Sequence, residues 1–137
     1  MNTKSVPQKI AALISENFGR KVDLTEEDQM VIKNYNDSVA LLQPDEKHLF
    51  FVNIKVQGEK CGFTNAGSQE YVLNTDKSNR YFVTVKTAWR CGVESGESYD
   101  TIIVEAGSKH ALGCTDSGYV PVTYYTRTIT GEVKITS

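Results

Sequence analysis

The sequence predicts an α+β chain, with an N-terminal helical hairpin followed by a mostly antiparallel β-sandwich. Three observations carry that reading. The chain has 137 residues and changes character near Pro44: residues 1–45 hold one of its ten glycines, Gly19, and one of its seven tyrosines. Before Pro44 the apolar residues recur at helical spacing, and after it they alternate. The second part is rich in Val, Thr and Tyr with frequent Gly, the mixture that short twisted strands and tight turns require.

The elements follow in order. Ser5 and Gln8 have the spacing of a capping box, with Pro7 inside the first turn. Val6, Ile10, Leu13, Ile14 and Phe18 form an apolar helical stripe, and Gly19 fits the left-handed position that ends a helix. A short link through Val22 and Leu24 leads to a second start at Thr25. There Glu26, Glu27 and Asp28 sit beside the positive helix end. Those carboxylates read as helix-start charges, because consecutive carboxylates on a helix diverge and chelate poorly. Val31, Ile32, Tyr35, Val39 and Leu42 give the second stripe, which Pro44 stops. The two helices should run to about 12 and 17 residues.

Beyond Pro44, Phe50, Val52, Ile54 and Val56 alternate with Phe51, Asn53 and Lys55 as a strand does. Tyr81, Val83, Val85 and Trp89 repeat the pattern, which makes Trp89 a core residue. Thr101–Glu105 is a short apolar run, Ala106–Gly107–Ser108 a turn, and Lys109–Cys114 extended. Tyr119–Ile135 alternates but changes phase near Tyr124–Tyr125, as at a bulge or a change of sheet. Gly131 marks a bend or turn. Six to eight strands in about 90 residues is the size of an immunoglobulin-like sandwich. The expected organisation is a helical arm, residues 1–45, and a sandwich, residues 46–137. A segment of about 45 residues makes a poor core alone, so the arm should pack on the sandwich or at a dimer interface.

Two stretches look alike. Phe51-Val52-Asn53-Ile54-Lys55 precedes Cys61-Gly62 and Tyr71, and Phe82-Val83-Thr84-Val85-Lys86 precedes Cys91-Gly92 and Tyr99. Each copy reads as a hairpin with a Cys-Gly turn. Hairpins in one sheet face similar demands, so the likeness alone does not establish a repeat.

The second half resembles bacterial immunoglobulin-like adhesion modules of the CARDB kind. The matching pieces lie within residues 81–114: Tyr81-Phe82-Val83-Thr84-Val85-Lys86 and Ile103-Val104-Glu105-Ala106-Gly107-Ser108-Lys109. The sequence departs where Thr87-Ala88-Trp89 replaces the usual Asn-x-Gly turn and Ala106 stands in place of a proline. The resemblance implies a sandwich used for binding or spacing, usually outside the cell, and carries over no catalytic residue.

Composition narrows the function. The net charge is −2, and residues 1–45 carry 5 basic against 7 acidic groups, so the sandwich balances 10 against 10. No basic excess points to nucleic acid, and no apolar run approaches a membrane span. The first residues lack the continuous apolar stretch of an export signal. The expectation is a chain that stays in the cytoplasm, leaves by another route, or has lost a leader. Cys61, Cys91 and Cys114 form no CxxC pair. They read as three thiols or as one disulfide, with Cys91–Cys114 the first choice of pair. No metal ligand set and no cofactor motif is found, including phosphate-binding and dinucleotide loops.

Only His48 and His110 are available as histidine bases. A small hydrolase site assembled around Cys114, His110 and Asp116 is the enzymatic alternative, although Asp116-Ser117-Gly118 reads equally as a polar turn. The leading expectation is a non-enzymatic module binding a protein partner, with a glycan or lipid surface as alternative. Candidate contacts are Tyr124, Tyr125, Tyr99 and Phe63, in the loops at Cys61–Gln69 and Cys91–Tyr99 or on an exposed sheet face. Homo-oligomerisation through residues 1–45 is a further possibility.

Overall fold

The computed structural model describes residues 19–47, 50–118 and 120–136. The first helix expected from the sequence, with Val6, Ile10, Leu13, Ile14 and Phe18, lies outside the described residues, as do His48 and Tyr119. The described chain runs β1 (Arg20–Val22), α1 (Glu26–Ala40), α2 (Pro44–Lys47), β2 (Asn53–Cys61), a 3-10 turn (Phe63–Asn65), β3 (Gly67–Asn74), β4 (Tyr81–Cys91), β5 (Glu94–Val104), β6 (Lys109–Cys114) and β7 (Tyr124–Lys134).

The strands form two antiparallel sheets, ordered β1-β6-β3-β2 and β5-β4-β7. Alternation decides what each presents to the other. Val72 and Leu112 of the first sheet meet Tyr81, Val83, Val85 and Val104 of the second in one buried cluster. The link through Val22 is a correction to the sequence reading. Residues 20–22 form an edge strand, paired as Arg20↔Ala111, Lys21↔His110 and Val22↔Lys109. Gly19 does take the left-handed conformation, φ +80.

Helix α1 starts where the sequence places it. Thr25 and Asp28 make the reciprocal capping box: Asp28 N donates to Thr25 Oγ1 at 3.1 Å and Thr25 N to Asp28 Oδ2 at 2.9 Å. The helix ends at Ala40, and Pro44 opens the one-turn helix α2 instead of stopping α1. Proline suits a first helical position because its missing N–H has no intrahelical acceptor there.

The helix binds the four-stranded sheet on the face turned away from the other sheet. Lys109, buried on β6, donates to Asp28 Oδ2 at 2.6 Å, and its ammonium lies 4.4 Å from the centre of the Tyr71 ring. Burial pushes the Asp28 carboxyl up, but Lys109 and the Thr25 bonds together hold it below the usual carboxylate range. Burial also pushes the Tyr71 phenol up to about 12, reinforced by its bonds to Glu59. Farther along, Asn36 Nδ2 donates to Thr75 O at 3.1 Å and the Tyr35 hydroxyl donates to Phe51 O. Ile32 is the fully buried apolar residue of this contact.

The likeness of the two Cys-Gly segments has a structural counterpart. β2 with β3, and β4 with β5, are hairpins, and each first strand ends on its cysteine. The phase change expected at Tyr124–Tyr125 falls elsewhere: β7 runs through both residues, and its irregularity lies between Ile129 and Gly131.

The cysteine pairing is the second correction. Cys61 and Cys114 form the disulfide, with Cα atoms 6.1 Å apart, and Cys91 is a buried free thiol packed with Trp89 and Tyr125. Register explains the choice. Cys61 stands opposite Gly67 on β3, and Cys114 stands opposite Gln69 on the other side of the same strand. Cys91 belongs to the other sheet.

The bond closes a loop between residues 53 positions apart. Loop-closure entropy gives such a crosslink about 4 kcal/mol. The Cys61→Ser, Cys114→Ser double variant is therefore expected to lose stability of that order in urea unfolding. An unchanged midpoint would contradict the pairing.

Candidate functional site

The ends of β2, β4 and β6 and the starts of β3, β5 and β7 gather at one end of the two sheets. Three connections cross it: residues 62–66, 92–93 and 115–123. The first and third are tied to each other and to β3. Asp116 is buried, and its Oδ1 accepts from Phe63 N at 2.8 Å and from Gly118 N at 2.9 Å. Thr115 N donates to Ser68 O, and Ser68 N donates back to Thr115 Oγ1, both at 3.0 Å. Ser117 N donates to Thr123 O at 2.9 Å, and Thr123 N donates to Ser117 Oγ at 3.0 Å. The Cys91 thiol approaches Pro121 O at 4.0 Å, next to the cis Val120–Pro121 bond. The disulfide joins the first and third connections directly.

Gly62 shows how closely these parts meet. Its φ is +82, and a Cβ built there would lie 2.0 Å from Asp116 Oδ1. Only glycine satisfies both the left-handed backbone and the carboxylate's approach. Thr64 follows at φ 54, in the region that costs a β-branched residue about 1–2 kcal/mol, and Asn65 at φ 55, which asparagine adopts readily. The capped and crosslinked surroundings hold that strain.

Four large apolar side chains project from this braced end. Val93 is fully exposed, Val120 is 71 % exposed, Tyr124 56 % and Phe63 42 %. Sequence reasoning named Phe63 and Tyr124 and missed the two valines. A signal for Val93 was present: Gly92-Val93 is the two-residue turn of the β4–β5 hairpin. Such turns favour Asn-Gly or Asp-Gly.

The other sequence candidates fall elsewhere. Tyr99 is exposed but pairs with Lys86, whereas Tyr124 pairs with Arg90 on the same strand. Both point outward from the three-stranded sheet, separated by about 13 Å along β4. Tyr125, proposed as a contact, points inward and is buried beside Cys91, with the Arg127 guanidinium 5.1 Å from its ring centre. That is a correction, and it follows from the opposite facing of adjacent strand residues.

The three residues of the hydrolase alternative are not assembled as a nucleophile and base. The Cys114 sulfur is bonded to Cys61, the Asp116 carboxylate holds backbone amides, and His110 lies four residues before Cys114 on the same strand. His110 is buried, with Nδ1 lacking a hydrogen-bond partner. Among the described residues, no group of three or more His, Cys, Asp and Glu is gathered to hold a metal ion, and no helix is long and apolar enough to cross a membrane. No protein-family model, curated protein or solved structure matches the chain.

Burial, with Lys21 adding to it, holds the His110 imidazole below the usual histidine range. The folded pKa then lies below the unfolded value of about 6.5. Above that pH both states are neutral and the full stability is present. Below it the unfolded chain takes the proton first, so stability falls with acid until the folded pKa is reached. Chemical denaturation between pH 7 and 5 should show this slope, and His110→Gln should lose it. An equal slope in the variant would contradict the assignment.

Proposed function

We propose that the chain is a non-enzymatic binding module that engages a protein partner through the braced loop end. The carrying observation is the projection of Phe63, Val93, Val120 and Tyr124 at one end of the sheets, where the Cys61–Cys114 bond and the Asp116 carboxylate fix the connections after β2 and β6 and a two-residue turn presents Val93. Exposed apolar clusters mark interaction sites, and a pre-ordered loop has less entropy to lose on binding. Three of the four side chains carry no hydrogen-bonding group. That favours a protein partner over a sugar, whose hydroxyls need polar contacts beside any stacking ring.

The architecture supports this reading. Four strands in one sheet and three in the other is the immunoglobulin-like division. The order β1-β6-β3-β2 with β5-β4-β7 differs from the A-B-E-D and C-F-G order of such domains. The shared property is loops held at the ends of a two-sheet scaffold. The resemblance of residues 81–114 to adhesion modules points the same way. The Cys61–Cys114 bond supports an oxidising compartment, since disulfides are rare where cellular thiols are kept reduced.

Exposed Tyr99 and Tyr124 on one outer sheet face give the second reading, a glycan surface, because each phenol ring can stack on a sugar.

The paired variant Val93→Asp, Val120→Asp changes two exposed positions, so its unfolding midpoint should stay within about 0.5 kcal/mol of the parent. Crosslinking in the source cell, read by quantitative mass spectrometry, should show one partner depleted at least about 30-fold with this variant, the scale of a hot-spot loss. Phe82→Thr, on the outer sheet face, should leave that partner in place. Equal recovery from both variants would overturn the protein-binding reading. A glycan-array signal abolished by Tyr99→Ala, with no partner depleted, would replace it with the second.

A further inference from the structure

The edge of an open sheet presents unpaired N–H and C=O groups that can pair with another chain. Among the described residues, β1 and β2 are the edges of one sheet and β5 and β7 of the other. Three of these edges are blunted by short length, broken register or basic side chains. β1 has three residues. β2 shifts register between Gln57 and Lys60 and carries Lys55 and Lys60. β7 is irregular between Ile129 and Gly131 and carries Arg127 and Lys134. β2 and β7 also hold each other: Glu132 accepts from Asn53 N at 2.9 Å, and Lys55 donates to Arg127 O at 2.6 Å.

β5 is neither short nor interrupted. It runs eleven residues, Glu94–Val104, in unbroken register with β4, and contains no Lys, Arg or Pro. Gly92-Val93 is a two-residue turn, so its flanking pair, Cys91 and Glu94, exchanges both backbone hydrogen bonds. Every second pair after it does the same. Ser95, Glu97, Tyr99, Thr101 and Ile103 therefore point their N–H and C=O groups away from β4. All five residues are exposed, and β5 pairs with no other strand among the described residues.

We propose that β5 pairs antiparallel with β5 of a second copy, joining two three-stranded sheets into one of six strands about a two-fold axis at Tyr99. Tyr99 is the middle one of the five outward-pointing residues. Centring the axis there lets all five bond in full: Ser95 faces Ile103 of the second copy, Glu97 faces Thr101, and Tyr99 faces Tyr99. The carboxylates of β5 accept this register. Glu97, held by Lys86 at 3.2 Å, meets a hydroxyl, Asp100 meets Ser98 and Glu94 meets Val104. No carboxylate stands directly opposite another. The Tyr99 rings, 59 % exposed in the single chain, become a cross-strand aromatic pair. A two-fold contact closes at two copies and leaves no β5 edge to extend. Antiparallel pairing sends the two loop ends in opposite directions. An edge contact lies at or below the ~1,200 Å² of standard interfaces, so the dimer is weak and concentration-dependent.

Sedimentation of the full chain should show the 15.2 kDa monomer in dilute solution and a dimer as the protein approaches about 1 mM. Over the same range, amide exchange at residues 95, 97, 99, 101 and 103 should slow, while residues already bonded to β4 stay unchanged. The Thr101 N–H takes no part in the β4 ladder, so Thr101→Pro removes no bond within the chain. By symmetry it spoils the contact twice, and it should weaken dimerisation at least about tenfold. Asp100 lies diagonal to its own copy at about 7–8 Å, so Asp100→Asn should tighten the dimer about two- to fivefold. If Thr101→Pro fails to fold, the exchange pattern and Asp100→Asn carry the test. A monomer at every concentration would overturn the proposal. So would a dimer that a folded Thr101→Pro leaves equally tight, as one formed through residues 1–45 would be.

Discussion

The two sheets are joined by an ion pair as well as by apolar contact. Glu70 on β3 and Arg127 on β7 face each other in the interior, each 2 % exposed. Arg127 Nη1 donates to Glu70 Oε1 and to the backbone oxygens of Gly113 and Cys114. Taking such charges from water costs several kcal/mol per ion, and only good geometry and further hydrogen bonds repay it. Here one guanidinium group ties β3, the end of β6 and β7 together. Removing Glu70 leaves the Arg127 guanidinium buried without its carboxylate, at a cost of about 3–5 kcal/mol, whereas removing Arg127 leaves Glu70 its second partner, Lys55, at 2.9 Å. A domain holds about 5–15 kcal/mol in total. The placement of β7 against the four-stranded sheet therefore depends on this contact.

The features used for function lie around that bridge. Arg127 reaches Gly113 and Cys114 at the end of β6, where the disulfide and the Asp116 cap begin. Through Glu70 it also meets Lys55. The bridge thus braces the loop end from below. The apolar cluster of Val72, Val83, Val85 and Leu112 supplies the larger nonspecific driving force. Apolar contacts alone tolerate sliding of one sheet on the other, whereas a guanidinium with three oxygen partners does not.

Local features were legible in the sequence and cross-sheet ones were not. Thr25 with Asp28, the Cys-Gly hairpin ends and the inward-facing Trp89 follow from neighbours in the chain. The partner of Cys114 does not, because β2 and β6 meet only as the two neighbours of β3. Strand β1 was missed because three residues carry too little alternation to stand out from a link. In β2 the pattern shows Ile54 and Val56 alternating with Asn53, Lys55 and Gln57, but not which side holds the second sheet. Asn53 pairs with Asn74 and Lys55 with core residue Val72, so the polar side faces inward. The apolar side is covered by α1. The ion pair was invisible for a related reason: Glu70 and Arg127 each look like an ordinary solvent-facing strand residue. Of the candidate site, Phe63 and Tyr124 were found as exposed aromatics, while the valines depended on where the turns came together.

The most direct test of the bridge is a double-mutant cycle on its two charges, with Glu70→Leu, Arg127→Met and the pair measured by urea unfolding. Glu70→Leu should lose about 3–5 kcal/mol, Arg127→Met less because Lys55 still pairs with Glu70, and the double variant should recover much of the Glu70→Leu loss. A small loss for Glu70→Leu, or losses that simply add in the double, would contradict a structure that depends on this pair.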